Sequence, residues 1–234
     1  MSDICKDYYV SLANKCSRIA ERTFENEKES RQSEAHSFLQ DIDAWVDILS
    51  ERPESDLFLS ASKEYQFSLL AVTQGLYRQA FMGLRLFMEL TISGVYFSAH
   101  EYLFRKWKIG DKDISWGEFT NSEDGVFSTN FCKAFKSNLR DQASLYQNIA
   151  NNIYSDCSSY VHGNPNTHKT IPEELDYDES LYEEWHNKCS KVREITIFLF
   201  CLRYIEFIDQ CKIPKIEESV NSHVSHIAEI RDSI

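Results

Sequence analysis

Apolar positions along this chain recur at spacings of three and four, the period of an amphipathic helix, and no alternating stretch is long enough to compete as a strand. Cys5, Tyr8, Leu12, Cys16, Ile19 and Thr23 form a first stripe. A strongly polar stretch, 24–32, interrupts it, and spacing alone leaves open whether this is a loop or the solvated middle of one long helix. Ala35, Phe38, Leu39, Ile42, Trp45, Val46 and Leu49 make a second stripe. Pro53 ends it, because proline disfavours helix in the residue before it.

A third helix is expected over about 62–107, bent or straight, with Gly75, Gly83 and Gly94 inside it. A glycine in a helix costs about 1 kcal/mol relative to alanine, so three of them point to close helix packing. Gly110, Gly117 and Gly125 mark a loop over 110–130, whose Trp116, Phe119 and Phe127 should hold it against the body. Helices follow at about 130–139, 142–160 and 179–211. The sequence Val161-His162-Gly163-Asn164-Pro165 stops the second of these, with glycine and proline in the order expected after a helix C-terminus. A short amphipathic tail carries Ile216, Val220, Val224, Ile227 and Ile230. The pattern predicts an all-α protein: a helical bundle with an N-terminal amphipathic arm. Its segments are an arm or hairpin over 1–52, the bundle over 53–213 and a C-terminal helix over 214–234.

Composition sharpens this picture. Seven glycines and four prolines in 234 residues are about half of average usage, which fits long helices joined by few loops. The net charge of −12 argues against broad DNA binding, which needs a basic footprint. Charge is uneven, however. Between 78 and 108, Arg78, Arg85, Arg105, Lys106 and Lys108 face only Glu89 and Glu101, a candidate RNA-binding surface. The seven cysteines are odd in number and not closely paired, and the N-terminus carries Asp3 and no apolar run, so a reducing, cytoplasmic setting is expected. The most apolar run, 195–208, contains Arg203 and Glu206 and falls short of the ~20 apolar residues of a bilayer span. It reads as a core helix, and no membrane association is expected.

Two stretches carry candidate chemistry. In GLYRQAFMGLRLFMEL (75–90), Arg78, Arg85 and Glu89 lie at intervals of seven and four, near one helix face. In YSDCSSYVHGN (154–164), a helix ends on Ser-x-Tyr-Val-His-Gly. An Arg/Glu helix, an aromatic-rich insert and a Val-His-Gly helix end together resemble the HEPN-like superfamily of prokaryotic defence and toxin proteins, over roughly 65–208. The resemblance implies a four- or five-helix bundle that tends to dimerise. In its active members an Arg-x(4–6)-His motif cuts RNA without metal, the histidine moving protons and the arginine stabilising phosphate charge. Here His162 matches the histidine, but Ser155, Asp156 and Cys157 stand where the arginine should be.

The reading that follows is a non-catalytic, partner-binding subunit of an anti-phage defence or toxin–antitoxin-type system. Its expected partners are a second copy, a defence-system protein, or both. Phe38, Leu39, Ile42, Trp45, Val46 and Leu49 are its expected partner-binding stripe. The alternatives are a metal-independent endoribonuclease using His162, with Arg85 and Glu89 beside it, or a module that binds RNA or tRNA without cutting. Without chemistry, His162 would serve the end of its helix dipole and Arg85–Glu89 would be an ordinary i, i+4 pair. Cys157, His162, His168, His186 and Cys189 cluster loosely, but no C-x2-C spacing supports a metal site. No phosphate loop or nucleophile elbow is present, so no cofactor is expected.

Overall fold

The structure, a computed structural model, describes all residues except 1, 28, 163, 166, 168–171 and 173. Its α-helices are α1 (Ser2–Asn26), α2 (Arg31–Ile48), α3 (Ser55–Thr73), α4 (Tyr77–Phe97), α5 (Glu101–Lys108), α6 (Trp116–Phe119), α7 (Thr129–Phe135), α8 (Arg140–Val161), α9 (Glu179–Tyr204), α10 (Glu217–Val224) and α11 (Ala228–Arg231). Short 3-10 turns lie at Ser137–Leu139, Ile205–Phe207 and Gln210–Lys215. No strand occurs among the described residues, so the all-α expectation holds. Gly163 and His168 lie outside the described residues.

Two boundaries differ from the sequence reading. The polar stretch after Phe24 is a break: α1 ends at Asn26, and Ser30 takes a left-handed conformation (φ 54°) before α2. The single helix expected over 62–107 is a hairpin. It starts earlier, at Ser55, and reverses after Thr73. Gly75 makes that reversal possible with φ 73°, a conformation that strains any side chain. The other two glycines do permit close packing. A Cβ at Gly83 would lie 3.0 Å from Ser68 Cβ, and one at Gly94 only 2.5 Å from the Phe58 ring. Ser68 Oγ also donates to the Ala80 carbonyl at 2.6 Å, tying α3 to α4. Helical spacing cannot distinguish a straight helix from two helices folded back on one another, since both keep the same period.

One core cluster runs from Ala35 to Ile230, so the three segments expected at 1–52, 53–213 and 214–234 share a single interior. The α2 stripe belongs to it. Phe38, Ile42, Trp45, Val46 and Leu49 are buried, and Leu39 packs at the edge. Phe38 meets Tyr65 and Phe87 edge-on, and Trp45 packs on Phe200. The tail closes over the same side. Ile216, Val220, Val224, Ile227 and Ile230 are all buried, and Trp45 Nε1 donates to Ser219 Oγ at 3.3 Å. The expectation that the α2 stripe docks a partner is therefore corrected: the chain covers it with its own α3, α4, α9 and α10.

Helix α1 behaves differently. Among the described residues, its bonds to the body come from its second half, where Ile19 and Thr23 are buried and Thr23 Oγ1 donates to the Thr73 carbonyl at 3.1 Å. Lys15–Glu174 and Arg22–Asp176 bridges flank this contact. From 3 to 11 every residue is exposed. Ile4 is 77% exposed and Tyr8 63%, with Tyr9 and Val10 also open.

Buried polar groups fix the remaining joints. Tyr204 donates to Glu54 at 2.9 Å and Arg52 pairs with the same carboxylate, pinning the α2–α3 connection to the end of α9. Tyr77 bridges the start of α9 by donating to the Asp178 carbonyl at 3.1 Å and accepting from Asp178 N at 2.8 Å. Helix α4 is long and apolar enough to cross a membrane by length and composition, but 67% of its most apolar window is buried inside the fold.

Candidate functional site

The sequence picked out α4 and α8 as the elements with chemistry, and the fold does pack them together. Phe81 stacks on Tyr160 with ring centroids 4.2 Å apart. About one turn further along α4, Arg85 Nη2 donates to Glu89 Oε1 at 2.9 Å and to Tyr154 OH at 2.6 Å. Tyr154 in turn donates to the same Glu89 oxygen at 2.9 Å. The Arg85 guanidinium carbon lies 4.6 Å from the centre of the Tyr154 ring, and the Trp116 indole stacks on that ring at 3.9 Å. Trp116 is held by its own bond to Asn151 Oδ1 at 2.9 Å. The aromatic insert between the two motif helices thus clamps the tyrosine that joins them.

This arrangement decides what the cluster can do. Glu89 neutralises Arg85 directly, and both side chains are largely covered. Burial raises the pKa of Tyr154; Glu89 adds to the rise and Arg85 opposes it. The phenol therefore stays protonated at neutral pH and acts as a donor. A neutralised guanidinium and a protonated tyrosine hold two helices together; they do not offer a phosphate a free positive charge. An apolar groove of about 350 Å³ opens beside them, lined by Phe67, Met82, Leu86 and Val161.

His162 stands apart. It is exposed at the C-terminal end of α8, its main-chain N–H bonded to the Ser158 carbonyl at 3.0 Å. Tyr154, the partner of Arg85, is eight residues earlier, about 12 Å along a helix. Among the described residues no hydrogen bond or ion pair joins the His162 side chain to Arg85 or Glu89. Arg85 and Glu89 pair with each other, and the α4–α8 register places Arg78, not Arg85, at the end of α8. Arg78 Nη1 donates to the Tyr160 carbonyl at 3.3 Å, so an arginine meets the last-turn carbonyls that the histidine was expected to serve.

The expected RNA-binding surface is also divided. Arg78 begins α4, whereas Arg105, Lys106 and Lys108 lie on α5, beyond the other end of a 21-residue helix that is about 30 Å long. Arg105 pairs with Glu101 at 2.6 Å and Lys108 with Asp56 at 3.4 Å, while Arg85 is spent on Glu89. Proximity in sequence did not become proximity on one face.

No group of three or more metal-ligating side chains occurs among the described residues. All seven cysteines are free, and Cys132, Cys157, Cys189 and Cys201 are buried. Burial pushes the Cys157 thiol up to about 12, so it is no nucleophile at neutral pH.

Sequence reading missed one polar region altogether. Ser37 and Asp41 of α2, Ser190 and Arg193 of α9, and Ser222 and His223 of α10 line a cleft of about 520 Å³. Nothing in spacing marks it, since its residues come from three helices far apart in the chain. The chain matches no family model, no curated protein and no solved structure.

Proposed function

We propose that this chain is a HEPN-like, non-catalytic helical subunit that works by assembling with another protein chain, in the first instance a second copy of itself. One observation carries the reading: the first turns of α1 stand clear of the body and hold Ile4, Tyr8, Tyr9 and Val10 in solvent. A second apolar surface lies open on the α3–α4 hairpin, where Phe67, Leu70, Met82 and Leu86 are exposed. Large apolar side chains exposed in groups on one element mark interaction sites on stable domains. The resemblance to HEPN-like proteins supplies the biological setting, an anti-phage defence or toxin–antitoxin-type system in the cytoplasm. Free thiols on both the surface and the interior accord with a reducing compartment.

The separation of His162 from Arg85 supports a non-catalytic role. Purified protein incubated with RNA at neutral pH without metal is expected to cleave nothing. Metal-independent cleavage that disappears in both His162→Ala and Arg78→Ala would instead establish an endoribonuclease built at the end of α8. The assembly itself is tested by mass in solution: the intact chain should self-associate, and a chain lacking residues 1–12 should remain folded and monomeric.

A further inference from the structure

Arg193 is buried, with 7% of its surface exposed, yet its hydrogen bonding is incomplete. Nη1 donates to the Glu34 main-chain carbonyl at 2.6 Å. Nη2 comes no closer than 3.9 Å to the Glu34 carboxylate, and Nε has no partner among the described residues. A buried guanidinium without a bonded counter-anion is costly, since desolvation is not repaid by pairing. The Nε–Nη2 edge is also the one that grips a carboxylate or phosphate through two parallel bonds. Among the described residues no carboxylate fills it. Glu34 is too far and largely exposed, and Asp41 is bonded to His223 Nε2 at 2.9 Å.

Arg193 sits where the 520 Å³ cleft meets a recess of about 170 Å³ that shares Glu34 and Ser190 and adds Arg31 and His186. His186 Nε2 is likewise buried without a partner. Burial, with Arg193 and Arg31 nearby, pushes the His186 pKa down to about 3. Two residues of α9, each with a buried polar atom that lacks a partner among the described residues, thus line one recess beside the larger cleft. The cavity falls in the ~300–1,000 Å³ range of small-molecule sites.

We infer that this cleft binds a small, hydroxyl-bearing oxyanion, a phosphate ester or a carboxylate, with Arg193 receiving the charged group. The incoming oxyanion displaces the loosely placed Glu34 carboxylate from Nη2. Ser37, Ser190 and Ser222 and the carboxylates of Asp41 and Glu218 face the ligand's hydroxyls, which a carboxylate accepts strongly. Among its lining residues the cleft has no aromatic ring besides His223, itself packed edge-on against Phe38. A nucleobase would find no stacking platform there, so a polyol-like body fits better than a nucleotide.

The test titrates the full chain with inorganic phosphate, glycerol 3-phosphate and glycerate, with glycerol and sodium chloride at matched ionic strength as controls. Backbone amide shifts and melting temperature are read together. Saturable shifts confined to α2, α9 and α10 with at least one anion, absent with both controls, are expected. Response to the phosphate compounds alone identifies an ester, and response to glycerate alone a carboxylate. Loss of a charge-assisted pair should weaken binding about tenfold or more in Arg193→Gln. Because Arg193 is buried and its replacement can unfold the chain, Ser222→Trp, which blocks the exposed mouth and leaves Arg193 intact, should produce the same loss. No saturable response to any of the three anions, or unchanged affinity in the folded Ser222→Trp variant, would overturn the assignment.

Discussion

Helices α1 and α2 carry apolar stripes of the same period, and the fold treats them in opposite ways. Along α2, Phe38, Ile42 and Trp45 are sealed between α3, α4, α9 and α10. Along α1, Ile19 and Thr23 alone are buried among the described residues; Leu12 and Cys16 are half-covered, and Cys5 and Tyr8 are in solvent. Period records that a helix has an apolar side. Which chain covers that side depends on where the neighbouring elements return, and spacing holds no trace of it. The docking element we propose is therefore shorter and nearer the N-terminus than the one the sequence pattern pointed to.

The strongest way to break this contrast is Trp45→Ala. Removing a fully buried indole should cost about 3–5 kcal/mol, read as a lowered urea midpoint with the slope unchanged. An unchanged midpoint would mean that the α2 stripe is not core.

Acid should expose the α2–α9 seam in a second way. His186, at that seam, is held neutral, with a folded-state pKa of about 3 against an ordinary value of 6.5. Above pH 6.5 the group contributes nothing to pH dependence, because neither state is protonated. Between 6.5 and 3 the unfolded chain takes up a proton that the folded chain refuses. Stability should therefore fall as pH falls, by up to about 1.4 kcal/mol per pH unit from this one group. His186→Gln should flatten the stability–pH profile in that window, and an identical slope in the variant would contradict the assignment.

A smaller effect is expected at the α4–α8 joint. Tyr154→Phe removes the hydroxyl's two hydrogen bonds, one accepted from Arg85 and one donated to Glu89, but leaves the Arg85–Glu89 pair and the stacking of the ring on Trp116. A loss of about 1 kcal/mol is expected, measured by the same urea titration. A loss several times larger would show that the hydroxyl organises more than this pair of helices. The smallest effect on stability should come from α1. Ile4→Ser with Tyr8→Ser should stay within about 0.5 kcal/mol of the parent chain, as surface changes do, when both are measured dilute enough to be single chains.

Much of the architecture could be read before the structure. The apolar period placed α1, α2 and α8 to within a few residues. The 110–130 loop packs through Phe119 and Phe127, as its aromatics suggested. The Gly83 and Gly94 contacts are of the kind that glycine inside a helix implies. The hairpin at Gly75 was missed because a tight reversal needs only one residue with positive φ, and the apolar period resumes at once after it. The site was less legible. Arg85 and Glu89 do pair as their i, i+4 spacing indicates, but the distance of His162 from them depends on the α4–α8 register. That register is set by stacking of Phe81 on Tyr160 and by the Arg85–Tyr154 bond. Arg193 gave no signal, and His186 appeared only in a loose cluster of metal-ligating types, since an unfilled guanidinium edge is a property of the packed interior.

The most direct test of the account is the sedimentation mass of the intact chain beside that of the Ile4→Ser/Tyr8→Ser variant, at equal concentration. The intact chain should sediment at twice its 27.4 kDa mass and the variant at the single-chain mass with unchanged helical circular dichroism. Single-chain mass for both proteins, or an assembly that survives the two substitutions, would contradict it.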